Sequence, residues 1–186
     1  MYSIKKQFDF CYGHRVWSQN LDQNFSVDNK CKCRHLHGHQ GVIIVELKSD
    51  ELKNGMVTDF KHLNWFKKWL DDVFDHKFIM DLNDPLLRHE IPLFEGCEKE
   101  ELFDYYLVDD LTKSGAYVIG EDYLKDVPDF VKEKNEGMVF VDFVPTSENL
   151  SKFFFTVIEK VMKLLDIKVS SVQFFETPKS QSTYYE

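Results

Sequence analysis

The stretch Cys33-Arg34-His35-Leu36-His37-Gly38-His39-Gln40-Gly41-Val42-Ile43-Ile44-Val45-Glu46-Leu47-Lys48 predicts a strand that opens on a metal site. From His37 onward, odd positions carry His37, His39, Ile43, Val45 and Leu47. Side chains alternate across a pleated strand, so the two imidazoles share a face with the apolar residues that follow. A third imidazole lies upstream. Residues 2–16 also read as a strand, with Phe8, Phe10, Tyr12 and His14 on one parity. Three converging neutral imidazoles suit Zn²⁺ and leave its fourth position open, the arrangement of a catalytic rather than a structural site. Cys33, four residues before His37, would add a base or nucleophile.

Outward from this pair of strands, residues 17–34 are polar and irregular and read as a loop. Asn54-Gly55 is a turn signal. A helix is predicted from about Asp59, as N-cap, to Phe74, with Phe60, Leu63, Phe66, Leu70, Val73 and Phe74 on its apolar face. Pro145-Thr146-Ser147 starts a second long helix that runs to Leu165. A last strand is predicted near residues 168–176. Within 86–137, acidic and mixed in pattern, Tyr105–Val108 and Ala116–Ile119 read as short strands or an inserted subdomain. The expected class is α+β, helices packed on an antiparallel sheet.

The 186 residues suffice for one domain with a real core. No run of about 18 apolar residues suggests a membrane span, and the N-terminus lacks the apolar block of a signal peptide. A net charge of −9 argues against a general nucleic-acid binder. Cys11, Cys31, Cys33 and Cys97 fit cytosolic thiols better than a disulfide framework, and the expected location is cytoplasmic. Cys11 alternates away from His14 and reads as a packed thiol. Cys31, Cys33, His37 and His39 could instead close a structural zinc site, although Cys-x-Cys is tighter than finger spacing and that reading leaves His14 without a role.

Taken in order, the motifs resemble the 6-pyruvoyltetrahydropterin synthase / 6-carboxytetrahydropterin synthase family. They are Phe10-Cys11-Tyr12-Gly13-His14-Arg15, then Lys32 to His39, Gly55-Met56-Val57-Thr58-Asp59-Phe60, Asp75-His76-Lys77-Phe78 and Leu82-Asn83. Pro145-Thr146-Ser147-Glu148-Asn149-Leu150 and Glu176-Thr177-Pro178 complete the set. The resemblance covers roughly 4–85 and 138–186; the segment 86–137 departs from it as an atypical insertion in a single pterin-synthase-like domain.

That resemblance implies the tunnelling fold: an antiparallel sheet with two helices packed on one face, subunits assembling into a barrel as homo-oligomeric trimers or hexamers with sites between subunits. It implies a zinc-dependent lyase acting on 7,8-dihydroneopterin triphosphate, with His14, His37 and His39 as metal ligands. Cys33, Asp75 and His76 would be catalytic, and Glu176, Thr146, Ser147 and Glu148 would bind the pterin. Arg15, Lys30 and Lys32 are candidates for the triphosphate. The bacterial-type enzyme, of queuosine and deazaguanine biosynthesis, releases acetaldehyde and gives 6-carboxy-5,6,7,8-tetrahydropterin; the animal type only eliminates triphosphate. Their Cys-to-His spacings are both here, Cys33 to His37 and Cys31 to His37, and the local match favours Cys33 and the bacterial type. A pterin-binding relative with altered chemistry and a non-catalytic zinc-stabilised scaffold are the other two classes.

Overall fold

In the computed structural model, residues 1–20, 31–90, 102–108 and 113–185 are described. Among these residues eight strands form: β1 Tyr2–His14, β2 His37–Ser49, β3 Lys77–Asp81, β4 Phe103–Leu107, β5 Lys113–Ile119, β6 Met138–Val141, β7 Lys168–Thr177 and β8 Ser180–Tyr185. The helices are α1 Asn64–Val73, α2 Pro85–Glu90, α3 Glu121–Leu124, α4 Asp129–Glu136 and α5 Ser147–Leu164. The strand order is β4-β5-β6-β3-β1-β2-β7-β8. No described helix is long and apolar enough to cross a membrane.

The sheet is mixed rather than wholly antiparallel. β2 pairs antiparallel with β7, and β7 with β8, but β3 runs parallel to both β1 and β6. Both parallel pairs join strands far apart in sequence, with helices in the intervening chain, as a parallel crossover requires.

The chain divides into two compact units. The first comprises Met1–Cys11, His39–Asp75 and Thr146–Glu186. Its core is aromatic. Phe8 and Phe10 of β1 face Phe66 of α1 and Phe154 of α5, at ring separations of 5.0 and 6.1 Å. Phe154 also meets Phe66 and, on β7, Phe174. Both long helices therefore pack on one face of their strands.

α1 buries Phe66, Trp69, Leu70 and Val73, one stripe at three- and four-residue spacing. Asp59 caps as expected, its carboxylate accepting from Lys61 N–H at 2.8 Å. The first turn, Phe60–Leu63, is a 3₁₀ turn, and Phe60 is 48% exposed rather than on the apolar face. The tighter pitch takes Phe60 out of register with the stripe. At Asn54-Gly55 both residues have positive φ, 54° and 80°, which closes a tight turn between Lys53 and Met56.

The second unit comprises Tyr12–Gly38 and His76–Pro145. Met80, Leu82, Leu87, Leu102, Phe103, Ile119 and Phe140 form its core. β4 and β5 pair antiparallel, and Ala116 and Tyr117 of β5 pair with β6. Of the segments read as short strands or an inserted subdomain, Tyr105–Leu107 lies on β4 and Ala116–Ile119 on β5, with Val108 just past the end of β4.

Candidate metal centre and its surroundings

His14, fully buried, ends β1. Its Nδ1 lies 2.7 Å from the Pro145 carbonyl oxygen. His37, at the start of β2, places Nδ1 2.7 Å from the His35 carbonyl oxygen. A carbonyl can only accept, so both Nδ1 atoms carry the proton and both Nε2 atoms present a lone pair. Those two Nε2 atoms face each other at 3.2 Å. Without a third party, two lone pairs at that distance repel; a cation between them resolves it. Two nitrogens bound tetrahedrally at 2.0–2.1 Å stand about 3.3 Å apart, so the separation fits a shared ion. His39, two residues on, joins them, with the ligand atoms of all three within 4.8 Å of one another. The donor set and its tautomers fit Zn²⁺, and the carbonyl partners are the outer contacts that fix metal-binding histidines.

Glu176, at the end of β7, lies with Oε1 3.7 Å from His39 Nε2. Thr146 serves as the N-cap of α5, accepting from Asn149 N–H at 3.3 Å. Ser147 is held through its carbonyl, which accepts from Ser182 Oγ at 2.5 Å, and Glu148 is exposed beside the Ser147 hydroxyl. Cys33 sits half-buried in a 3₁₀ turn, Lys32–Arg34, and its carbonyl accepts from Val16 N–H at 2.8 Å.

Asp75 and His76 follow α1. The Asp75 carboxylate accepts from the Cys11 N–H at 2.8 Å, and His76 adopts a left-handed φ of 59°. Cys11 is exposed, not packed, because β1 buries Phe8, Phe10 and Tyr12 on the opposite parity. Its sulfur, the Asp75 carboxylate and the His76 ring form a second group within 4.8 Å. Sequence reasoning missed this thiol; the same alternation that turned it from His14 was the available signal. Cys33 belongs to neither group.

Of the triphosphate candidates, Arg15 is engaged elsewhere. Its Nε lies 2.9 Å from Oδ2 of Asp84, which is 1% exposed. Lys32 is exposed, while Lys30 and Cys97 lie outside the described residues.

Comparison with known proteins follows the same lines. The family described as 6-pyruvoyl tetrahydropterin synthase matches residues 3–186. A 6-carboxy-5,6,7,8-tetrahydropterin synthase of Aquifex aeolicus is 33% identical over 100% of this chain and 98% of its own length. One from Haemophilus influenzae is 26% identical, with both chains covered entirely. Among solved structures, an uncharacterized protein from Wolinella succinogenes is 45% identical with a TM-score of 0.87, over 99% of this chain and 97% of its own. The 6-pyruvoyl tetrahydropterin synthase of Caenorhabditis elegans, 21% identical with a TM-score of 0.54 over 100% of this chain and 95% of its own, shares the fold.

Proposed function

The chain belongs to the 6-pyruvoyl tetrahydropterin synthase family, and we propose that it converts 7,8-dihydroneopterin triphosphate to 6-carboxy-5,6,7,8-tetrahydropterin, releasing acetaldehyde and triphosphate. The observation that carries this reading is the pair of Nε2 lone pairs, on His14 and His37, turned toward one another by carbonyl-bound Nδ1 protons. His14, His37 and His39 would hold Zn²⁺, which supplies Lewis acidity for a developing enolate-like charge. The full-length likeness to the Aquifex aeolicus enzyme supports the carboxy product, which leads toward queuosine and other deazaguanines in the cytoplasm.

Cys33, as thiolate, takes the C–H proton of the substrate side chain. A thiol with the ordinary value near 8.5 is mostly protonated at neutral pH, so cationic surroundings must favour the thiolate. Asp75 orients His76 for proton transfer. Glu176 accepts two hydrogen bonds from the guanidine-like edge of the pterin, and Thr146, Ser147 and Glu148 border the ring. Subunits close their sheets into a barrel and share sites, with 86–137 an insertion in a single domain. The hydrogen bond from the Val16 N–H to the Cys33 carbonyl, which ties the Cys33 backbone to a residue two past His14, supports Cys33 over Cys31 as the base. A second reading has its own observation: Cys11 lies with Asp75 and His76 in one chain, which favours Cys11 as a thiol of that relay.

Incubation with 7,8-dihydroneopterin triphosphate tests the reading. Acetaldehyde and the carboxypterin are expected together. Triphosphate release without acetaldehyde would give the animal-type activity instead, and no turnover would refute both.

A further inference from the structure

Two carboxylates at the end of β3 are almost fully buried, Asp81 at 2% exposure and Asp84 at 1%. Each reaches back to the segment that follows His14. Asp81 Oδ2 accepts from Trp17 Nε1 at 2.8 Å, while its Oδ1 accepts from the Asn83 N–H at 2.9 Å. Asp84 Oδ1 accepts from the Leu86 N–H at 2.8 Å, which caps α2, and Oδ2 stands 2.9 Å from Arg15 Nε. That last contact is one of charge, since the N–H does not lie along the hydrogen-bond line. Between Arg15 and Trp17, the Val16 N–H holds the Cys33 carbonyl at 2.8 Å.

Burying a carboxylate is costly, and a buried ion pair is a poor source of stability compared with apolar packing; its best-attested use is to impose one arrangement. Burial pushes the Asp84 carboxyl above its ordinary value of 3.8, against the Leu86 N–H and the Arg15 charge. The arrangement imposed here is that of residues 15–17, which lie between a metal-ligating imidazole and the contact to the thiol-bearing turn.

We propose that Asp84, acting through Arg15, is a positioning residue that fixes both His14 at the metal centre and Cys33 beside the strand end. Asp84 touches neither metal nor substrate; it sets the backbone from which His14 projects and to which Cys33 is tied. The inference rests on the metal-centre reading for its first half and on the Val16–Cys33 hydrogen bond alone for its second.

The test uses full-length Asp84→Asn, which keeps the side-chain size and the cap on Leu86 but removes the charge opposite Arg15. Zinc affinity is read by competition with a chromophoric chelator, and Cys33 accessibility by iodoacetamide alkylation of metal-free protein in which Cys11, Cys31 and Cys97 are serine. Zinc affinity is expected to fall severalfold, less than the roughly 10- to 100-fold lost with a ligand's own hydrogen-bond partner, and Cys33 alkylation to quicken severalfold. Arg15→Lys, which retains a cation facing Asp84, should stay close to wild type in both. Asn135→Ala removes a different buried polar group, 4% exposed and bonded to the Val131 carbonyl at 2.7 Å; it should lower the melting temperature yet leave both readouts unchanged. Wild-type zinc affinity and alkylation rate in Asp84→Asn would overturn the proposal, as would equal effects from Asn135→Ala. Wild-type protein that binds no zinc would sink the metal-centre reading, and the alkylation comparison would then decide the positioning claim. If Asp84→Asn yields no folded protein, Arg15→Gln carries the same comparison.

Discussion

Gly13→Ala places a methyl group where no room exists. In β1, Gly13 pairs with Phe78 of β3, and the Phe78 ring lies over the bare glycine. A Cβ at Gly13 would stand 2.4, 2.6 and 2.7 Å from three ring carbons of Phe78. Since van der Waals contact between carbons begins near 3.5 Å, the ring must leave. Phe78 is 38% exposed, so it has solvent to move into, and the backbone of β1 need not break. Overpacking of this kind costs about 1–3 kcal/mol. For a chain of this size that lowers Tm by roughly 2–12 °C. The sign should reverse once the ring is gone. In a Phe78→Ala background the same Gly13→Ala change meets no ring, and the residual effect is restriction of the unfolded chain, a gain of about 0.4–1 kcal/mol. Thermal and urea unfolding of both single variants and the double variant form a cycle whose expected coupling is about 1.4–4 kcal/mol. Additive effects would show that the ring does not occupy the Gly13 site and would refute the argument.

Cys33→Ala should abolish turnover of 7,8-dihydroneopterin triphosphate while Cys31→Ala retains it; the reverse pattern would move the base to Cys31, and loss in Cys11→Ala alone would move it to the thiol beside Asp75 and His76. Phe154→Ala, which empties the centre of the aromatic core in the first unit, should cost about 3–5 kcal/mol and lower Tm by roughly 6–20 °C by calorimetry. Glu46 is subject to an upward push from burial, outweighed by the Ser3 and Ser171 hydroxyls and Lys5, which hold its carboxyl below its ordinary value of 4.5. A carboxylate lowered on folding contributes stability above the unfolded value that is lost as pH falls through the folded one. Glu46→Gln should therefore flatten the acid limb of the Tm-versus-pH curve below about pH 4.5, and an unchanged limb would contradict the assignment.

The long elements were legible because their periods are long enough to read. β1 was predicted to Val16 and ends at His14, and β2, α5 and β7 fall within a residue or so of their predicted bounds. β3 and β6 were not legible. Lys77–Asp81 and Met138–Val141 are short, nearly continuous apolar runs without alternation, as befits strands paired in parallel inside a sheet. β8, Ser180–Tyr185, is a polar edge strand with no buried stripe to announce it. At the site, spacing alone brought His37 and His39 to one face, and parity selected His14. What spacing could not reveal were contacts made across the fold: the Pro145 carbonyl that sets the His14 tautomer, the Asp84 carboxylate that occupies Arg15, and the exposure of Cys11 beside Asp75. Each joins residues dozens of positions apart.

X-ray absorption at the zinc edge of the purified protein tests the central claim most directly. Three imidazole nitrogens at about 2.0–2.1 Å, one light-atom ligand from solvent and no sulfur are the predicted shell, with two imidazoles in place of three, or no zinc bound, in His14→Ala. A zinc shell containing sulfur at about 2.3 Å would place Cys31 or Cys33 on the metal, make the site a closed structural one, and contradict the account.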